Sequence, residues 1–286
     1  MRCAFTLLLA TFLAVPGFGQ CVNGYQRLLP EPSPDFSLDF GRSVSMFDKY
    51  LAVGVPDSDT VGRSSGIVYI YEKENDAWKK IASMIPSQPI PDLGLGFNVK
   101  LSDNYLLASA AANGGQVFIF KKPAQGWTSA TELTVLATSG TEAFGTGFPN
   151  TIDISADENT IVVADPKKRH NFNPTSIAGS LFVYHKDGAA PWTDQFSPAE
   201  IKATVDMIDL GRAGVHISEN RIITGTPFTA TGTGNVLIYH DPSGNFSNLS
   251  LEAVLSPPPN YTAWMNNLVL IEDGIVWSAS GGGGLQ

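Results

Sequence analysis

One sentence-like pattern recurs four times along this chain, and it constrains the fold more than any other feature. An aromatic-Gly or Leu-Gly pair opens each copy, at Phe40-Gly41, Leu95-Gly96, Phe144-Gly145 and Leu210-Gly211. A β-branched apolar run with a small-residue turn follows, as in Leu51-Ala52-Val53-Gly54-Val55-Pro56 and Ile161-Val162-Val163-Ala164-Asp165-Pro166. A glycine-led aromatic stretch comes third, at Gly66 to Tyr71, Gly115 to Phe120, Gly179 to Tyr184 and Gly234 to Tyr239. A single large aromatic, Trp78, Trp127, Trp192 or Phe246, precedes the last stretch of each copy. Strand signals alone, repeating at roughly 50–65 residues, predict an all-β chain of four-stranded propeller blades stacked around an axis.

Each copy reads as four short strands. The first follows the opening pair, as in Ser43 to Met46, Val99 to Leu101 and Ile152 to Ile154. The second is nearly continuous in Leu, Val and Ile, which predicts burial on both faces. The third alternates, with Val68 and Ile70 against Tyr69 and Tyr71. The recurring tryptophans are expected to pack between blades rather than to stack on sugars, because a position repeated in every copy serves the scaffold. Leu268 to Ile271 and Ile275 to Ser280 read as the first two strands of a fifth copy, which breaks off in Gly281 to Gly284 where an aromatic strand is due. Tyr25 to Pro30 matches the outer-strand stretches, so it is expected to close the ring against the last blade. The expected organisation is residues 1–19 as a signal peptide, 20–39 as an N-terminal segment, and repeats at 40–94, 95–143, 144–209, 210–263 and a partial 264–286. Four full copies and a partial fifth leave two readings open: a section of a longer, seven-bladed ring, or an atypical small propeller.

The signal peptide rests on Arg2, the apolar run Cys3 to Val15, and the small residues Gly17 and Gly19. It predicts a secreted, cell-surface or periplasmic protein with no membrane insertion. Cys21 is then the lone thiol of the mature chain, which is no disulfide-stapled scaffold. The net charge of −9 disfavours nucleic acid and anionic membranes as partners. The one basic cluster, Lys167-Lys168-Arg169-His170, reads as a solvated loop after Pro166.

The four-copy pattern resembles FG-GAP repeats, the blades of the integrin α-chain N-terminal propeller, in their compact bacterial-type form. The resemblance covers residues 40–255 and implies a β-propeller that binds or adheres to an extracellular partner. Integrin-type blades carry a calcium loop between their first two strands. Here those connections are short, as in Phe47-Asp48-Lys49 and Ala156-Asp157-Glu158-Asn159, and read as hairpin turns, so no calcium or other cofactor is expected. The weak metal candidates are Asp57 and Asp59, in a different loop.

No catalytic constellation stands out along the chain. His185 and His240 occupy a position that is Glu72 and Lys121 in other copies, His216 lies in the first strand of copy four, and no two histidines have metal spacing. Gly62-Arg63-Ser64-Ser65-Gly66 matches a nucleophile-elbow string but leads into a strand, where that motif requires a helix. Asn245, Asn248 and Asn260 head possible N-glycosylation sequons. The expected function is therefore a non-enzymatic propeller binding an extracellular protein or glycan. A polysaccharide-acting enzyme domain and a purely structural module are the alternatives.

Overall fold

The computed structural model describes residues 26, 28, 39–112, 115–136, 151–166, 168, 179–204, 207–226, 228–229, 234–256, 265–271 and 275–280. The expected signal peptide, Cys21 and Asn260 lie outside them, as does most of the basic cluster.

Blade 1 comprises β1 (Ser43–Phe47), β2 (Tyr50–Val55), β3 (Ile67–Glu74) and β4 (Ala77–Met84). Blade 2 comprises β5 (Val99–Leu101), β6 (Tyr105–Ala110), β7 (Gln116–Lys121) and β8 (Thr134–Leu136). Blade 3 comprises β9 (Thr151–Ile154), β10 (Thr160–Asp165), β11 (Ser180–His185) and β12 (Ala199–Lys202). After a short strand β13 (Met207–Ile208), blade 4 comprises β14 (Val215–Ser218), β15 (Arg221–Thr226), β17 (Asn235–His240) and β18 (Ser250–Leu255), with β16 (Phe228–Thr229) between β15 and β17. Finally β19 (Met265–Ile271) and β20 (Ile275–Ser280) form an antiparallel pair. Each blade is a four-stranded antiparallel meander in chain order. No helix appears among the described elements, and none of the described residues forms one long and apolar enough to cross a membrane. The small β13–β16 pair was not anticipated: two residues on each side carry no periodicity to read.

The second strands are the buried ones, as their composition requires. Every residue of β6 and β10 is buried. The turns between first and second strands hold Asp48, Glu158 and Glu219 at positive φ, the geometry of tight hairpins. Each junction between blades has its own apolar cluster. Ile70 and Met84 of blade 1 meet Leu106, Phe118 and Trp127 of blade 2. Leu107 and Ile119 meet Ile161, Phe182 and Trp192 of blade 3. Val162 and Leu181 meet Leu237, Tyr239 and Phe246 of blade 4. Trp127, Trp192 and Phe246 are thus buried at the seams, as expected, and truncating one to alanine would cost about 3–5 kcal/mol.

Two glycines explain the repeat signature. Gly66 has φ +82, and a Cβ there would sit 2.3 Å from the backbone nitrogen and oxygen of Leu95, with which Gly66 forms a parallel bridge. Gly179, at φ +81, stands in the same relation to Leu210, 2.6 Å from its nitrogen. In blades 1 and 3 the glycine that leads the aromatic strand therefore makes room for the Leu-Gly pair of the next blade.

At the N-terminal side, the Gln26 side chain copies a strand pairing. Its Nε2 donates to the Trp78 carbonyl (2.7 Å), and its Oε1 accepts from the Trp78 amide (2.5 Å). Leu28 packs on the face of blade 1 that carries Val53, Ile67 and Tyr69. This segment lies beside β4 of blade 1; the remainder of Tyr25 to Pro30 falls outside the described residues.

The first strands run against one another in sequence, β1 with β5, β5 with β9 and β9 with β14. They are the innermost strands of the array, and they carry the site.

Candidate functional site

Strand register aligns one position across the four inner strands. Ser45 pairs with Ala52, Lys100 with Leu107, Asp153 with Val162 and His216 with Ile223, in each case the third residue of the second strand. Four polar side chains therefore project from equivalent points on consecutive blades.

The scaffold asks something definite of this position. The amide following it on the next blade needs an acceptor. At the first junction Ser45 Oγ accepts from the Leu101 amide at 2.9 Å. At the third, Asp153 Oδ2 accepts from the Ile217 amide, also at 2.9 Å. Lysine has three donors and no acceptor, so Lys100 cannot fill that role at the second junction. There the Ile154 amide turns to its neighbour's own carboxylate, donating to Asp153 Oδ1 at 2.9 Å, while Lys100 Nζ donates to the same oxygen at 2.7 Å. His216 Nδ1 donates to Asp153 Oδ2 at 2.7 Å. One carboxylate therefore ties together the inner strands of blades 2, 3 and 4.

The electrostatics follow from this. The Asp153 side chain is 2% exposed, whereas those of Lys100 and His216 are 32% and 37% exposed. Burial pushes the Asp153 carboxyl up. The hydrogen bond from His216, the charge of Lys100 and the remaining contacts with these two outweigh it and hold the group below the ordinary carboxylate range. An ionised Asp153 can only accept, which places the proton of the shared bond on His216 Nδ1 and leaves Nε2 as the basic nitrogen. The arrangement is a histidine oriented by a buried carboxylate beside a partly exposed ammonium, suited to moving a proton and to stabilising a developing negative charge.

The sequence reading placed His216 on its strand but missed this cluster. The signal was present: aligning the copies puts Ser, Lys, Asp and His at one first-strand position, where an inner strand otherwise favours apolar residues.

The positions singled out in the sequence lie elsewhere. Asp57 and Asp59 are exposed in the β2–β3 loop, where Asp59 Oδ1 accepts the Ser64 amide. They are not brought to the inner strands, and among the described residues no group of three or more His, Cys, Asp or Glu side chains converges as a metal site. Asn245 and Asn248 are exposed in the turn before β18. Asn245 Oδ1 accepts from Ser243 and Ser247, and the Asn248 amide donates to Asp241. Hydrogen bonds from the Ser243 side chain and the Asn248 amide hold the Asp241 carboxyl below its usual range and lock this turn, which carries the buried Phe246. His185, read as a surface position, is half-buried and pairs with Thr160 Oγ1 through Nδ1 at 2.9 Å.

No protein-family model matches the chain, and no curated protein does. Solved structures do share its fold. A periplasmic gluconolactonase of Pseudomonas aeruginosa superposes with a TM-score of 0.51 at 14% identity, covering 83% of this chain and 65% of that one. The fold is a β-propeller. The hydrazine synthase of Kuenenia stuttgartiensis gives a TM-score of 0.50 at 15% identity, over 81% of this chain and 59% of that one. A putative 6-phosphogluconolactonase from Bacteroides uniformis aligns with a TM-score of 0.47 at 12% identity, over 84% and 78% of the two chains. The chain thus spans just under two-thirds of the length of the gluconolactonase. The first two likenesses support the propeller expected from the repeats, while FG-GAP membership is matched by no family model. They also correct the functional expectation. A non-enzymatic, adhesive module was expected because no catalytic set was visible in the sequence; the folds this chain resembles are those of named enzymes, and its inner strands hold the Lys100–Asp153–His216 cluster.

Proposed function

We propose that this propeller is a hydrolase of lactone-type esters, with Lys100, Asp153 and His216 as its acid–base centre. The observation that carries the reading is the buried Asp153 carboxylate, hydrogen-bonded at 2.7 Å to both Lys100 and His216 on the two flanking blades. The likeness to a fold that includes a gluconolactonase supports the choice of ester class by analogy.

The chemistry follows from the roles those atoms can fill. Water attacks the lactone carbonyl carbon as His216 Nε2 takes its proton, and Asp153 stabilises the resulting imidazolium through Nδ1. Lys100, with N–H groups beyond the one given to Asp153, lies where its charge stabilises the oxyanion. The ring C–O bond then breaks, the leaving alkoxide takes the proton from His216, and a hydroxy acid is released as its carboxylate.

Export belongs to the same reading. It is supported by the Cys3 to Val15 run with Gly17 and Gly19, and by the periplasmic source of the similar gluconolactonase. The FG-GAP-like character of the blades is supported by four copies in register.

The test is pH-stat hydrolysis of glucono-δ-lactone and a panel of sugar and aliphatic lactones, with the His216→Gln protein beside the wild type. The expected result is turnover above the buffer rate that falls by about 10²–10⁴ in the variant. No turnover on any lactone, or turnover that His216→Gln leaves intact, would overturn the proposal.

A further inference from the structure

A cavity of about 290 Å³ lies in the seam between blades 1 and 2, and nothing in the acid–base chemistry uses it. Lys100 shares with its partner Leu107 the face of blade 2 turned to blade 3, whereas Phe118 and Val135, a cross-strand pair, face blade 1. These two and Leu93 make the apolar floor. The Ala111 amide fixes Leu93 by donating to its carbonyl at 2.8 Å. One wall is the strap of blade 2 that leads into β8. It lies along β4, with the Ala130 amide donating to the Ser83 carbonyl (3.2 Å) and the Ile85 amide to the Ala130 carbonyl (3.1 Å). That pairing carries Glu132 to the start of the β4–β5 connection. There the Ser87 amide donates to Glu132 Oε2 at 2.8 Å, and the Ser87 hydroxyl donates to Oε1. Gln116, at the start of β7, borders the cavity on the same face as Phe118. Strand register puts Glu132 and Gln116 on either side of the Phe118–Val135 pair.

The scaffold accounts for neither polar group in full. Glu132 is half-buried, and among the described residues no lysine, arginine or histidine pairs with it. Its two hydrogen bonds from Ser87 leave a lone pair on each oxygen and the charge without a counter-charge. Gln116 departs from its own column. The first residue of the third strand, opposite the last of the second, is Ile67 in blade 1, Gln116 in blade 2 and Ser180 in blade 3. Ile67 packs among apolar side chains, and Ser180 Oγ donates to Glu200 at 2.7 Å. The Gln116 amide group, half-buried, has no such partner among the described residues. An anion would meet Glu132 with no cation beside it. A neutral sugar would suit the amide and leave the carboxylate's charge unmatched. A primary ammonium supplies both the charge and the donors that Glu132 lacks. A short methylene chain then covers Phe118 and Val135, and a hydroxyl at its far end meets the Gln116 amide. We infer that this cavity binds a small amino alcohol, its ammonium on Glu132 and its hydroxyl on Gln116.

The inference goes beyond the hydrolase reading and its readout is binding, so the two fail separately. Isothermal titration of the full chain with 5-aminopentan-1-ol, pentane-1,5-diol and pentan-1-amine is the experiment. The amino alcohol should saturate one site, and the diol, which lacks the charge, should bind at least about tenfold more weakly. Glu132→Gln keeps an acceptor for Ser87 and should remove that difference. Gln116→Ile installs the residue that blade 1 carries at this position, and should make the amino alcohol and pentan-1-amine bind alike. His216→Gln should leave all three affinities unchanged. A chain of net charge −9 attracts cations without specificity, so the variants carry the test: removing one of 27 acidic side chains changes that background little. No saturable heat at about 5 mM amino alcohol, equal affinity in wild type and Glu132→Gln, or a preference over pentan-1-amine that survives Gln116→Ile would overturn the inference. So would saturation by glucose that displaces the amino alcohol and persists in Glu132→Gln, since the cavity would then belong to a neutral sugar.

Discussion

The first and third blade junctions solve one structural problem in two ways. Both need an acceptor for an inner-strand amide of the following blade. Ser45 supplies a hydroxyl to Leu101, and Asp153 supplies a carboxylate to Ile217, at the same 2.9 Å distance. Both junctions also use a left-handed glycine under a leucine, Gly66 beneath Leu95 and Gly179 beneath Leu210. The hydroxyl does its scaffold task and stops there. The carboxylate brings a charge into a buried place, and that charge is stable only with partners, so it gathers Lys100 from one side and His216 from the other. Chemistry on this fold thus starts from a packing slot: the acceptor the scaffold already requires becomes a functional group when it is charged.

The largest effect is expected from Asp153→Ala. It leaves the Ile217 amide without its acceptor and removes the charge-assisted bonds to Lys100 and His216, so unfolding in denaturant should show a loss of about 2–3 kcal/mol. Asp153→Ser copies the first junction and should recover about 1 kcal/mol of that loss by restoring the neutral hydrogen bond, with hydrolysis still absent. Recovery of activity by serine would show that the charge is irrelevant.

The pH dependence has a definite sign. A carboxyl held below its unfolded value contributes stability that is present above the ordinary carboxylate range and is lost as pH falls through the depressed folded value. Acid titration of the wild type should therefore show a loss of stability that is absent in Asp153→Ser. Coincident acid curves for the two proteins would remove the electrostatic account.

Next in size are the glycines. Gly66→Ala and Gly179→Ala place a Cβ against the next blade's backbone at positive φ, and each should cost about 1–3 kcal/mol in thermal or denaturant unfolding. Similar losses at the two sites would confirm that the junction scaffolds are alike; a much larger loss at Gly179 would mean that the charged cluster depends on its own seam. The smallest effect is Ser45→Ala, about 1 kcal/mol with hydrolysis unchanged, because the Leu101 amide loses a neutral acceptor beside no charge.

The repeat made most of the architecture legible. The second strand expected in the run Ile161 to Pro166 forms at Thr160–Asp165, and the aromatic strand at Gly179 to Tyr184 forms at Ser180–His185. Those strands are local events: an apolar run bounded by glycine and turn residues carries its own instructions. The buried Trp127 and Trp192 were legible too, because repetition marks scaffold. The acid–base cluster was hidden for the opposite reason. Lys100, Asp153 and His216 sit in short first strands with little pattern, and they come from three different repeats, whereas a catalytic motif legible in sequence has its residues close together. Comparing the copies position by position would have exposed Ser45, Lys100, Asp153 and His216 as a column of unlike polar residues.

Repeated four-stranded meanders, their strand order and the buried strand of each are written in the local sequence, because strand periodicity and turn chemistry act over a few residues. The packing of the blades, with their first strands side by side, is what lets a lysine and a histidine from separate repeats share the two carboxylate oxygens of Asp153. The physical reason is range. Local propensity shapes a blade, but the distance between two side chains on different blades is set by how the seams pack, and at this site a buried charge is stable only because that packing delivers both of its partners.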